Sequence, residues 1–350
     1  LGNCGSDQCG GSVGECGECD VCDSDTRYCS EFSSERRDLY NPTVQHAALL
    51  TSGDFYLGLS PTESLIGDTG SWSPGPSGQI GSLYQSPDGE HLFKISTNII
   101  ERWNGSTWTT MASTLSDTTF TKYWVSNDGI VHAVRRKQDT VIHDIEYLRL
   151  TGSTWSSPET AFQHPLGIAY TASLVVDETN GSVQAVMSPC AYDWQGGGCG
   201  YVLRVRAPGG GWSDGAGLSV RLTEQAITPD GTIWGKYSCT SPTRYFYAYK
   251  PPGGAWVSEG CPNPGTQRLP DGKFLVDPGG TIQVVRQEYA DTTYSRYKNV
   301  IHELNPNTGA FEAVREVPGG VVAYDELGDL HTFSTESVSG IQRFRHYFMP

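Results

Sequence analysis

The sequence predicts an all-β chain built from seven repeating units, each a four-stranded antiparallel sheet. Three observations carry that expectation: the composition, a tight glycine turn that recurs along the chain, and an aromatic turn that answers it. Of 350 residues, 42 are Gly, 11% are aromatic and only 18% are charged, a balance rich in strand-forming side chains. The first turn follows an apolar run at Ser52-Gly53, Asp88-Gly89, Asp128-Gly129, Asn180-Gly181, Asp230-Gly231, Gly279-Gly280 and Leu327-Gly328. Its glycines lie 36, 40, 52, 50, 49 and 48 residues apart. The second turn ends on an aromatic at Trp72, Trp108, Trp155, Trp212, Trp256 and Phe311. The chain ends before a seventh aromatic turn.

Taken in order, residues 1–30 are rich in Cys, Gly and Asp and nearly devoid of aliphatic side chains, so they cannot fold around an apolar core. Cys4, Cys9, Cys16, Cys19, Cys22 and Cys29 all fall here, and Cys190, Cys199, Cys239 and Cys261 complete the ten. An even count clustered in this way predicts a disulfide-bonded arm in an oxidising, extracellular compartment. Cys16, Cys19 and Cys22 also begin like an iron–sulfur run, but Cys29 arrives late and precedes Ser30 rather than proline. The arm resembles the Cys- and Gly-rich stalks of secreted bacterial proteins. Residues 31–42 read as a linker with a closing strand.

From residue 43 to 350 the pattern is strand, tight turn, strand, longer loop, strand, tight turn, aromatic strand. Asp-Gly and Asn-Gly between β-rich runs are strong hairpin signals. Blade two is the clearest unit, with strands expected at 81–85, 91–96, 99–103 and 108–111. Four strands at this period resemble the blades of a β-propeller. The resemblance is to a seven-bladed architecture and not to one family. WD40, kelch and sialidase Asp-box signatures are absent. Blade seven supplies three strands, so a fourth is expected from residues 26–42, given by the same chain or by a neighbour.

The architecture sorts the loops. The turns between first and second strands, and between third and fourth, are short and lie on one face. The loops between second and third strands lie on the other and carry the unusual residues. Arg136, Tyr192, Asp193, Trp194, Arg244, Tyr289, Tyr294, Arg296 and Tyr297 are the candidate ligand-binding residues, since amphipathic aromatics and Arg suit a glycan or protein partner. Cys190 and Cys199 bracket one such loop, and Cys239 and Cys261 are expected to reach the same face.

For chemistry, His132 and His331 each follow a turn glycine by three residues, which makes them equivalent. His132, His143, Tyr192 and Arg204 form the candidate catalytic group. Some seven-bladed polysaccharide lyases use His, Tyr and Arg, and that likeness implies an Arg neutralising a uronate while His or Tyr removes the α-proton. The competing expectation is that the histidines pack between blades. No metal-ligand spacing is present. Asp20, Asp23 and Asp25 leave structural calcium open, although the glycine and distal glutamate of an EF-type loop are missing. No cofactor motif appears.

The net charge of -15 argues against nucleic acid or anionic lipid as partner, and no stretch has the apolar length of a membrane span. The expected function is an extracellular or cell-surface, non-enzymatic structural or adhesive protein. Its expected partners are cell-surface glycans or proteins, or copies of itself through the arm. A glycan-binding lectin or a polysaccharide lyase is the alternative.

Overall fold

The computed structural model describes residues 21–22, 29–31, 44–59, 63–68, 72–76, 81–115, 121–137, 144–163, 167–191, 202–215, 222–239, 244–258, 269–289, 297–338 and 341–349. Their backbone forms seven antiparallel sheets, the blades of a β-propeller, and no helix. Strands β1 (Val21–Cys22) and β2 (Cys29–Glu31) precede the ring. Blade one holds β3 (Val44–Leu49), β4 (Phe55–Leu59), β5 (Glu63–Gly67) and β6 (Trp72–Pro74). Blade two holds β7 (Ser82–Gln85), β8 (Leu92–Ile95), β9 (Ile99–Trp103) and β10 (Trp108–Ser113), within two residues of the expected bounds. In blade three β11 (Lys122–Val125), β12 (Val131–Arg136) and β13 (Ile145–Thr151) are followed by β14 (Thr154–Trp155) and β15 (Glu159–Phe162), both paired with β13.

Blade four holds β16 (Gly167–Asp177), β17 (Ser182–Ala191), β18 (Val202–Arg206) and β19 (Trp212–Asp214). Blade five holds β20 (Leu222–Ile227), β21 (Ile233–Cys239), β22 (Arg244–Lys250) and β23 (Val257–Ser258). Blade six holds β24 (Lys273–Val276), β25 (Ile282–Tyr289), β26 (Tyr297–Asn305) and β27 (Ala310–Pro318). Blade seven holds β28 (Val321–Tyr324), β29 (Leu330–Val338) and β30 (Ile341–Met349). Strands β3, β7, β11, β16, β20 and β24 follow one another side by side and β28 lies against β3, so the first strand of each blade is innermost. In blade seven β2 lies antiparallel to β30, with Ser30 opposite Tyr347 and Glu31 opposite His346.

The core is divided among the blade interfaces, because each sheet has two apolar faces and covers both with its neighbours. Leu50, Tyr56 and Leu92 join blades one and two; Phe93, Ile100, Val131 and Leu148 join two and three. Val134, Tyr147, Val176 and Met187 join three and four, and Val186, Leu222 and Tyr237 join four and five. Trp234, Tyr247 and Val284 join five and six, Ile301 and Leu330 join six and seven, and Phe333, Phe55 and Leu57 close seven onto one.

This division explains the recurring outer-strand aromatic. Each one reaches back to the preceding blade. Trp72 meets Phe333 edge-on at 5.8 Å, and Trp108 meets Tyr56 at 5.2 Å while its Nε1–H donates to the Tyr56 hydroxyl at 3.1 Å. Trp155 Nε1–H donates to the Ser113 carbonyl at 3.1 Å. Trp212 meets Tyr147 at 5.4 Å, Phe311 meets Tyr247 at 5.4 Å, and Trp256 packs on the cluster that joins blades four and five. A large flat ring fills the gap that widens outward between neighbouring sheets.

The short-turn face satisfies its own polar groups. In blade two the Asp88 carboxylate accepts the Ser86 hydroxyl at 2.5 Å and the Glu90 amide at 3.0 Å; Asp128 does the same with Ser126 and Ile130, and Asp230 with Thr228 and Thr232. Neighbouring turns are also stitched together. The Asp88 amide donates to Asn127 Oδ1 at 3.1 Å, and the Asn127 amide donates to Glu178 Oε2 at 3.2 Å. Carboxylates spent in this way are structural caps.

Candidate functional site

His132 stands on β12 one residue after its start, at the short-turn end of blade three. It is buried, and its cross-strand neighbour is Arg149. Its Nδ1 lies 2.7 Å from the Tyr147 hydroxyl and its Nε2 lies 3.0 Å from Ser126 Oγ. The Ser126 proton is directed at Asp128, so Ser126 accepts from His132 Nε2–H. Nδ1 is then the acceptor for Tyr147. Burial lowers the His132 pKa to about 4 and raises that of the Tyr147 phenol. The imidazole is neutral, doubly hydrogen-bonded and shut away from solvent, the arrangement of a packing histidine.

Of the rest of the expected catalytic group, Arg204 alone lies within the described residues. In blade four the position of His132 is held by Gln184, and β17 carries the chain on to Ala191. Tyr192 and His143 lie outside the described residues. Arg204 is engaged elsewhere: its Nη1 pairs with Asp214 and its Nε–H donates to the Ala161 carbonyl at 2.9 Å, across to blade three. Nearby, Arg206 holds Glu159 through two hydrogen bonds of 2.7 and 3.0 Å and lies over the Tyr147 ring. Sequence reading missed Tyr147 and Ser126. The available signal was positional: one lies two residues before the cross-strand partner of His132, and the other is the first residue of its turn.

On the opposite face, several of the cations near the loop ends are matched by carboxylates. Lys94 pairs with Glu101 at 2.9 Å, Arg135 with Glu146 at 3.1 Å, Lys236 with Glu224 at 3.0 Å, Arg286 with Glu288 at 3.2 Å and Lys298 with Glu316 at 2.6 Å. Arg136 is the last residue of β12, half-buried, and not in a loop as expected. Among the described residues no group of three or more His, Cys, Asp or Glu side chains stands ready for a metal.

The feature that stands out on this face is Tyr289 and Tyr297. They end β25 and begin β26, directly opposite each other in register. Their ring centroids are 4.7 Å apart and the Tyr297 hydroxyl donates to that of Tyr289 at 3.3 Å, which holds the Tyr297 proton more firmly than usual. Both rings are about half exposed, at 47% and 49%. Their backbone is fixed from below. The Gly319 amide donates to the Tyr297 carbonyl at 2.9 Å, and Asn299 Nδ2 donates to the Gly320 carbonyl at 3.0 Å. A Cβ on Gly319 would press into the Tyr297 carbonyl and Cβ, so this glycine lets the blade link pass close under the tyrosine. Asp193, Trp194, Tyr294 and Arg296 lie outside the described residues, as do Cys4, Cys9, Cys16, Cys19, Cys199 and Cys261. Arg244, Cys22, Cys29, Cys190 and Cys239 are described only in backbone, each within a strand.

No family model matches the chain. No curated protein matches it either. Among solved structures it is similar to a polysaccharide lyase described as an ulvan lyase, at 12% identity over 88% of this chain and 94% of that one with a TM-score of 0.49. It is also similar to the Dos1 propeller, at 9% identity over 89% and 93% with a TM-score of 0.46. A third is a eukaryotic initiation factor, at 10% identity over 91% and 88% with a TM-score of 0.45. Likeness at this level says nothing of what the chain binds or turns over.

Proposed function

We propose that this protein is an extracellular, non-enzymatic interaction module that meets a cell-surface glycan or protein with the loop-bearing face of its propeller. The observation that carries the reading is the Tyr289–Tyr297 pair. Two amphipathic rings, about half exposed and held by paired backbone, form a rigid ridge beside the loop of blade six. Such rings add contact area at little cost in side-chain entropy, and tyrosine is enriched where binding energy concentrates. The cysteine-rich arm supports an oxidising compartment. The neutral, enclosed His132 and the engaged Arg204 favour binding over proton abstraction.

The test is binding of the full chain to immobilised cell-surface polysaccharides and intact cells. Tyr289→Ala with Tyr297→Ala is expected to weaken binding about 10- to 100-fold, the span of one or two interface hot spots, with the thermal midpoint within a few degrees of wild type. Unchanged binding in the double variant would move the site to another face. Release of ultraviolet-absorbing unsaturated products from uronic polysaccharides by the wild-type chain would replace the non-enzymatic reading with a lyase.

A further inference from the structure

His331 lies on β29 and His346 on β30, each 1% exposed. His331 Nδ1 is 2.8 Å from His346 Nε2, and His331 Nε2 is 3.3 Å from Asp325 Oδ2. A carboxylate only accepts, so the nitrogen of His331 that faces it carries the proton. The other nitrogen is therefore an acceptor and takes the Nε2–H of His346. That leaves His346 Nδ1 as a lone pair, buried and with no hydrogen-bond partner among the described residues.

The two imidazoles are stacked with centroids 5.0 Å apart. Phe55, Phe333 and Trp72 enclose them. Among the described residues, the charged groups that act on the pair include Asp325 and Asp329, from the turn between β28 and β29, and Asp68, just after β5 in blade one. Glu31 of β2 stands opposite His346 in strand register.

A proton reaching this row has no comfortable place. Taken up at His346 Nδ1, it points at aromatic side chains without an acceptor. His346 can then pass its Nε2 proton to His331, which places the imidazolium against Asp325. Even so, the new N–H on His346 stays unmatched, and a buried unmatched donor is costly. Opening β30 to water removes the penalty. The strand that would open is the one that holds β2 on the ring.

We propose that the Asp325–His331–His346 row is an acid-sensitive latch on the ring closure. It is closed while both imidazoles are neutral, and on taking a proton it releases β30 and the paired β2 before the other blades loosen. Burial supports this, lowering the pKa of His331 and bringing that of His346 to about 3. The folded pair prefers the neutral form, so its contribution is whole above the unfolded histidine pKa of about 6.5 and is lost as pH falls toward 3. At pH 5 the opened form gains about 30-fold from His346 alone.

Hydrogen exchange of the full chain, read by mass spectrometry at pH 7 and pH 5 and corrected for intrinsic rates, tests the latch. Residues 341–349 are expected to lose about 30-fold protection, while residues 92–103 of blade two change little. His346→Phe, which keeps the aromatic packing, is expected to remove the roughly 30-fold part of the pH response of 341–349 that His346 contributes, leaving the smaller part due to His331. Asp325→Asn, which withdraws the carboxylate that would shelter the charge, is expected to shift the opening to higher pH. Loss of protection in all blades together, a wild-type response in His346→Phe, or an unmoved opening in Asp325→Asn would each overturn the proposal.

Discussion

Gly320→Ala is expected to destabilise the protein by about 3 kcal/mol or more, read as a lowered urea midpoint. Gly320 lies in the link that enters β28, with φ of 154°. A Cβ there would overlap the carbonyl oxygen of Phe333 and crowd Ser334. Both obstacles belong to β29, and β29 cannot retreat because Phe333 is buried between blades seven and one. Gly53→Ala is the matching control. Its φ of 86° is also unfavourable, but nothing lies within 4 Å of the added atom. The expected cost there is about 1 kcal/mol, the backbone contribution alone. Equal losses in the two variants would show that the close approach in blade seven relaxes freely.

His132→Gln is expected to flatten the acid dependence of global stability. The folded His132 pKa is about 4, held down chiefly by burial, against about 6.5 in the unfolded chain. The unfolded chain therefore binds the proton first as pH falls. The contribution of neutral His132 is complete above pH 6.5 and declines to nothing near pH 4, on the order of 3 kcal/mol across that window. Glutamine is a natural test residue because Gln184 and Gln283 hold the equivalent positions of blades four and six, each buried. Thermal midpoints at pH 7 and pH 4.5 check this, the variant showing the smaller drop. An identical drop would place the acid sensitivity in other groups, of which His46, His302, His331 and His346 are also shifted downward.

Much of the architecture was legible because turns and aromatics are local signals. A glycine after Asp128 specifies a tight hairpin wherever it stands, and Gly129 indeed takes a φ of 74°. Trp108 and Trp212 recur because each blade interface leaves the same outward gap. Arg136 ends β12, and the sequence does not show this because the run of basic residues from Arg135 to Lys137 carries no local mark of where the strand stops. His132 was open to two readings for a different reason. An imidazole has the same formula as a catalyst and as a core residue, and only its neighbours choose between them.

By itself, the sequence determined a seven-fold strand rhythm and the tight turns that punctuate it. These arise from chain-local chemistry: turn glycines, alternating apolar residues and spacing. The tertiary structure alone decided which polar groups meet. It joined Tyr147 and Ser126 to His132, set Asp325 and His346 on either side of His331, and left Tyr289 and Tyr297 half exposed. Those encounters depend on register across strands and on packing between blades. Neither is written in any single segment, because a hydrogen bond between strands is decided by where both of its ends come to rest.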